Sequence, residues 1–270
     1  MLHDERSFYS TITRIVIIQF KRTFTTTKRY PFFGLSHTLH IRRQLYHLDT
    51  VPERTEVHPR CTFFIDNAIR GEDGKLHLTR NRTETCQYYA FYLGTATPQS
   101  HPELWAKMMN EFGPVRQTSK AYPEIHPSNA FIGNYLRMEL LSSEGRSKQI
   151  LEENQSYYLP MARQTGTLWE NMTTSASCNH GFAAHMARVL YRDVLGVYDI
   201  SPTEKKVTLR FTDCGLKHCK GSIPVGNESV DVEWTMQDGQ MDVSLKLPQG
   251  YTYEHTSPGL SSCTITTKTN

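Results

Sequence analysis

Apolar residues along this chain follow two periods, and the change comes near Ser201-Pro202. Before that point the spacing is helical. Residues 84–97, ETCQYYAFYLGTAT, read as a buried aromatic helix ended by Pro98. Ser100 and Glu103 have the spacing of a capping box, and Leu104, Met108 and Phe112 then share one face until Gly113-Pro114. Ser128 is placed to cap a further helix with Phe131, Tyr135, Met138 and Leu141 as its apolar stripe. Another helix is predicted from Ser147 through Tyr158, stopping before Pro160. A last one runs from Asn179 or His180 to Leu195 and ends at Gly196.

After Ser201-Pro202 the period falls to two. Val207, Leu209 and Phe211 alternate with polar residues, as do Val230, Val232 and Trp234, and then Met241, Val243, Leu245 and Leu247. Asp238-Gly239 has the chemistry of a tight hairpin turn between the last two segments. The pattern predicts a multidomain α and β chain: an unassigned segment at 1–55, a helical domain at 56–200, and an antiparallel β domain at 201–270. Residues 1–55 show no sustained period and carry no functional reading. Beyond them, CTFFIDNAI (61–69) is a short apolar stretch and GEDGK (71–75) a turn.

Charge and cysteine content narrow the function classes. The net charge of +3 is local: residues 1–50 hold eight Lys/Arg against three Asp/Glu, leaving 22 against 24 for the rest. Nucleic-acid binding by the main body therefore has no electrostatic support. The longest early apolar run, IVIIQF at 15–20, is too short for a membrane span or a signal-peptide core. The sequons at Asn81, Asn154, Asn171 and Asn227 then read as chance matches. Six cysteines are spread without disulfide-scaffold density, and CGLKHC (214–219) lacks the second ligand pair that zinc usually wants. It reads as a turn between strands, with no metal and no cofactor implied.

The chemistry-bearing stretch is GTLWE (166–170) followed by Asn179-His180. By residue type alone, Trp169 is a core residue, Glu170 a solvated carboxylate and Asn179 a helix cap. A sugar pocket is the other reading, with Trp169 as stacking plane and Glu170 as catalytic carboxylate. Glu84 and Gln87, polar positions on an aromatic helix, read as buried hydrogen-bonding groups. Trp105 and Trp234 read as packing residues.

NRTETCQYYAFYLGTATP (81–98), PSNAFIGNYLRMELL (127–141), GTLWE, NHGFAAHMARVLYRDVLGV (179–197) and GLKHCKGSIP (215–224) together resemble the C-terminal part of glycoside hydrolase family 78, the α-L-rhamnosidases. The resemblance implies a partial (α/α)6 six-hairpin barrel followed by a small antiparallel β-sandwich. It also implies inverting hydrolysis of a rhamnose-containing carbohydrate or glycoside. Two carboxylates stand roughly 6.5–9.5 Å apart in such chemistry, one protonating the leaving oxygen and one activating water. The resemblance makes Glu170 the base, His180 and Asn179 sugar contacts, and Trp169 a pocket wall. It also implies a general acid in an acidic, Gly-containing segment well upstream of TLWE. Residues 1–60 offer Asp4, Glu5, Asp49, Glu53 and Glu56, none in matching surroundings. The chain by itself is therefore expected to be nearly inactive, as a fragment lacking its acid. The competing reading is a noncatalytic carbohydrate-binding or vestigial six-hairpin protein. A plain helical interaction protein would leave TLWE, Asn-His and the β domain unexplained.

Overall fold

The computed structural model describes residues 83–128 and 130–268. The segment 1–55, the stretches at 61–69 and 71–75, the upstream carboxylates and Asn81 lie outside the described residues. Two apolar cores organise what is described, one among helices and one between two sheets.

Helix α1 (Glu84–Tyr92) starts where the Thr83 hydroxyl accepts the Cys86 N–H at 3.1 Å. It ends sooner than the apolar pattern suggests, because Gly94 takes φ +73° and turns the chain out of helical geometry. Helix α2 (Pro102–Glu111) has Pro102 in its first turn, where a missing N–H matters least. The expected capping box does not form. The Ser100 hydroxyl instead accepts the Thr97 N–H at 2.9 Å, and Glu103 faces solvent beside Lys107. A single turn, α3 (Arg116–Ser119), follows.

Helix α4 (Phe131–Ser143) packs across α1. Gly133 makes that approach possible: a Cβ there would lie 1.6 Å from Ser128 Oγ and 2.8 Å from Thr85 Oγ1. Ser128 does not cap α4, whose N-cap is Ala130. Its N–H donates to Glu84 Oε2 at 2.8 Å, tying the incoming loop to α1 instead. Helix α5 (Ser147–Thr165) runs straight through Pro160, against the expected stop. Pro160 and Ser156 both face solvent, so water can serve the carbonyl that the proline leaves unpaired. The buried stripe Ile150, Leu151, Asn154, Tyr157, Tyr158, Met161 and Ala162 continues past it at helical spacing. Asn154 is fully buried with its amide donating to Ile150 O, which removes that sequon from any glycosylation reading.

The last helical stretch is one path in three geometries: a 3-10 turn (Gly181–Ala184), α6 (His185–Val189) and a π turn (Leu190–Val194). The π turn is closed by Leu195 N–H donating to Leu190 O at 2.9 Å. Gly196, at φ +93° against the Phe211 ring, then delivers the chain to the sheets.

Strand β1 (Val197–Ser201) already begins before the expected boundary at 201. It pairs antiparallel with β2 (Lys206–Arg210), and β2 pairs parallel with β6 (Thr252–Thr256). The second sheet joins β3 (His218–Val225), β4 (Glu228–Gln237) and β5 (Gln240–Lys246) as an antiparallel meander. It adds β7 (Ser262–Lys268) parallel to β5. Antiparallel pairing thus predominates as expected, with two parallel pairs added by β6 and β7. After β5 the chain crosses to the other sheet to form β6 and then returns, so β7 comes back in the direction of β5. Asp238 and Gly239 take φ +51° and +77°, making the predicted tight turn. Val207, Leu209 and Phe211 meet Val230, Val232, Trp234, Met241, Val243 and Leu245 in one core shared by both sheets.

Candidate functional site

Helix α5 ends at Gly166, φ +69°, whose N–H donates to Ala162 O at 2.9 Å. The chain from 167 to 180 then doubles back on itself. His180 N–H donates to Leu168 O and Glu170 N–H to Ser177 O, both at 2.9 Å, while the Thr167 hydroxyl donates to Cys178 O. These cross-links bring Glu170 and His180 together, although ten positions separate them. A third backbone bond, Phe131 N–H to Glu170 O at 2.8 Å, anchors the same residue to the start of α4. Ala130 and Asn171 continue that pairing as an antiparallel bridge.

Glu170 Oε2 stands 3.8 Å from His180 Nδ1, with the two side chains 39% and 23% exposed. The carboxylate is therefore open to solvent on one side and faced by an imidazole on the other. Three rings, His180 among them, pack against one another here. Phe131 lies 4.7 Å from His180 and 5.3 Å from Phe182, nearly parallel to the latter at 8°. His180 and Phe182 are 5.5 Å apart. Phe182 is 70% exposed, unusual for a phenylalanine. Its carbonyl accepts Nδ1–H of His185 at 3.2 Å. Burial holds His185 neutral, with its pKa pushed down to about 4, and its ring packs edge-on against Tyr135.

Trp169 does not offer the stacking plane expected of it. Its ring is 4% exposed within the helical core, and Nε1 donates to Thr165 Oγ1 at 2.7 Å. The correction has a simple cause: the doubled-back chain drives Leu168 and Trp169 together into the core before turning Glu170 outward. Asn179 is exposed, and its N–H donates to Ser177 Oγ at 3.4 Å. It does not cap the following turn, whose N-cap is His180. Glu170, His180 and the exposed Asn179 are thus on one segment, while Trp169 supports that segment from behind.

The buried carboxylates of the helical body are all committed to arginine. Glu84, fully buried, accepts from Arg116 Nη1 at 2.7 Å, Ser128 N–H at 2.8 Å, Gly113 N–H at 3.3 Å and Tyr88 Oη at 3.3 Å. Arg137 binds Glu153 through two nitrogens and also donates to Met108 O. Arg192 grips both oxygens of Glu139 at 2.8 Å and Asp193 at 2.9 Å. The hydrogen-bonding role anticipated for Glu84 is present, but its arginine partner and the other two clusters have no sequence signal. Apart from the adjacent Arg192 and Asp193, the paired residues lie 16 to 53 positions apart.

In CGLKHC, Cys214 turns into the core between the sheets and burial raises its thiol to about 11. His218, at the start of β3, faces Glu233 at 3.3 Å instead. The cluster is split between the inside and the outside of the β layer. Among the described residues no helix is long and apolar enough to cross a membrane.

No protein-family model matches the chain. It is 26% identical over 153 residues to an α-L-rhamnosidase of Alteromonas sp. (strain LOR), covering 50% of this chain and 16% of that protein. Its fold superposes on a GH78 family rhamnosidase of Bacillus sp. GL1 with a TM-score of 0.59 and 18% identity. That match covers 72% of this chain and 21% of the Bacillus one. The chain thus spans about a fifth or less of the length of these relatives. The chain is thus similar in sequence to part of an α-L-rhamnosidase and shares the fold of part of a GH78 family rhamnosidase.

Proposed function

We propose that the chain carries the base side of an inverting α-L-rhamnosidase site, with Glu170 as the general base. The observation that carries this reading is the Glu170–His180 pair. A solvent-reachable carboxylate is held by two backbone bonds and faces an imidazole at 3.8 Å. The Alteromonas and Bacillus relatives supply the substrate class, terminal α-L-rhamnosides. On this reading the described helices are late hairpins of an (α/α)6 body, and the two sheets form a C-terminal sandwich.

In the reaction Glu170 takes one proton from a water whose oxygen attacks the anomeric carbon. The glycosidic C–O bond breaks on the opposite face, and the departing oxygen takes a proton from an acid. His180, with Asn179 beside it, binds sugar hydroxyls. Glu84, Glu139, Glu153 and Asp193 are each held by an arginine, so none is free to reach a departing oxygen. That same observation favours the second reading, a carbohydrate-binding protein without turnover.

A substrate whose leaving group needs no proton separates the two. The full chain should hydrolyse α-L-rhamnosyl fluoride while scarcely acting on aryl α-L-rhamnosides, because acid catalysis commonly contributes ~10²–10⁴-fold. Glu170→Gln should abolish the fluoride reaction. Absence of any Glu170-dependent fluoride release would leave the binding reading in its place.

A further inference from the structure

We propose that the exposed ring of Phe182, backed by Phe131, and not Trp169, forms the shelf on which the C–H face of a 6-deoxyhexopyranose lies beside Glu170. The identity of the sugar rests on the hydrolase reading above; the shelf itself rests on geometry.

Phe182 keeps 70% of its surface in water, although a phenylalanine gains from burial. Its ring is not loose. It stacks on Phe131 at 5.3 Å and 8°, and its backbone carbonyl is held by His185 Nδ1–H. Phe131 in turn is fixed by its own N–H donating to Glu170 O, so shelf and carboxylate are built on one backbone junction. Two of the rings thus come from opposite ends of that junction, Phe131 from the start of α4 and Phe182 from the turn after His180.

The chemistry of the surroundings selects the occupant. An apolar protein surface laid over Phe182 would strip water from the neighbouring Glu170 carboxylate, which is unfavourable without a compensating partner. A pyranose satisfies both halves. Its axial C–H bonds and C6 methyl meet the electron-rich ring face, while its hydroxyls donate to Glu170 and bond His180. The His180 side chain, 23% exposed, flanks the carboxylate on the same segment. Trp169 cannot serve, since its ring is enclosed in the core.

The test is a titration of the full chain with methyl α-L-rhamnopyranoside, followed by saturation-transfer NMR. Phe182→Ala should weaken binding at least ~5-fold, a loss typical of one aromatic contact. Phe182→Trp should restore it. Transfer should be strongest to the C6 methyl and to the protons of one ring face. Equal binding by Phe182→Ala and the parent, or no binding by the parent, overturns the shelf. Rhamnosyl fluoride separates the two ideas. Glu170-dependent hydrolysis whose KM is untouched by Phe182→Ala sinks the shelf alone, whereas Phe182-dependent binding without hydrolysis sinks the hydrolase reading alone.

Discussion

Asp193, the fourth residue of the π turn, accepts a hydrogen bond from Arg210 of β2 at 2.9 Å. The same carboxylate takes the Ser142 hydroxyl of α4 at 2.6 Å and Arg192 Nε at 2.9 Å, and it is fully shielded from water. One anion therefore joins the helical body to the first sheet. Its neighbour Arg192 is buried with it and reaches on to Glu139 of α4.

Removing that anion should leave Arg210 without a carboxylate partner, while Arg192 keeps Glu139. Asp193→Ala is expected to destabilise the protein by ~3–5 kcal/mol, read as a lower urea midpoint. The double variant Asp193→Ala/Arg210→Ala should lose less than the sum of the single variants, because it also removes the stranded charge.

Arg116 should behave in the same way for the helical core. Its guanidinium pairs with Glu84 and donates to the carbonyls of Ala121, Tyr122 and Ile125, pinning the loop between α3 and α4. Arg116→Ala should cost ~3–5 kcal/mol in chemical denaturation. Glu84→Gln should likewise lower stability, and any fall in rhamnosyl fluoride hydrolysis should track the folded fraction.

Trp169 and Glu170 should separate stability from chemistry. Trp169→Ala leaves a cavity in the core and is expected to cost ~3–5 kcal/mol. Glu170→Gln, a half-exposed isosteric change, should shift stability by less than ~0.5 kcal/mol while removing fluoride hydrolysis. Loss of stability from Glu170→Gln matching that of Trp169→Ala would mean the pair is structural.

His185 should set an acid limb of stability. Its folded pKa of about 4 lies below the unfolded value, with burial the main cause, opposed by the Phe182 carbonyl and Glu139 and assisted by Arg192. Between about 6.5 and 4 the unfolded chain binds the extra proton, so stability is full above about 6.5 and falls as pH drops toward 4. The loss is on the order of 1–3 kcal/mol. His185→Phe keeps the ring against Tyr135 and should flatten this part of the pH–stability profile. An unchanged slope would show that other groups carry it.

Much of the architecture follows from local pattern. Helical spacing in Ile150, Leu151, Asn154, Tyr157 and Tyr158, and alternation in Val207–Phe211, Val230–Trp234 and Met241–Leu245, each match the observed buried face. Asp238-Gly239 is legible because a positive-φ turn needs those residue types. Boundaries were less legible. Pro160 reads as a stop, yet the helix continues, because its side faces water and the buried stripe behind it is uninterrupted. Ser100 and Ser128 have the right chemistry for caps, but the Ser100 hydroxyl accepts from Thr97 N–H and the Ser128 hydroxyl from Thr85.

What the sequence by itself determined is the set of local elements, the change of period near residue 201, and Glu170 with His180 as the residues to watch. Only the tertiary structure decided which aromatic ring is open beside that carboxylate, which carboxylates are bound to arginine, and that two strand pairs run parallel. The reason is physical. Periodicity and turn chemistry act between near neighbours, whereas ring exposure, ion pairing and strand direction depend on groups brought together from tens of positions apart. Trp169 and Phe182 are both aromatic residues beside the same motif, and only packing tells the buried one from the exposed one.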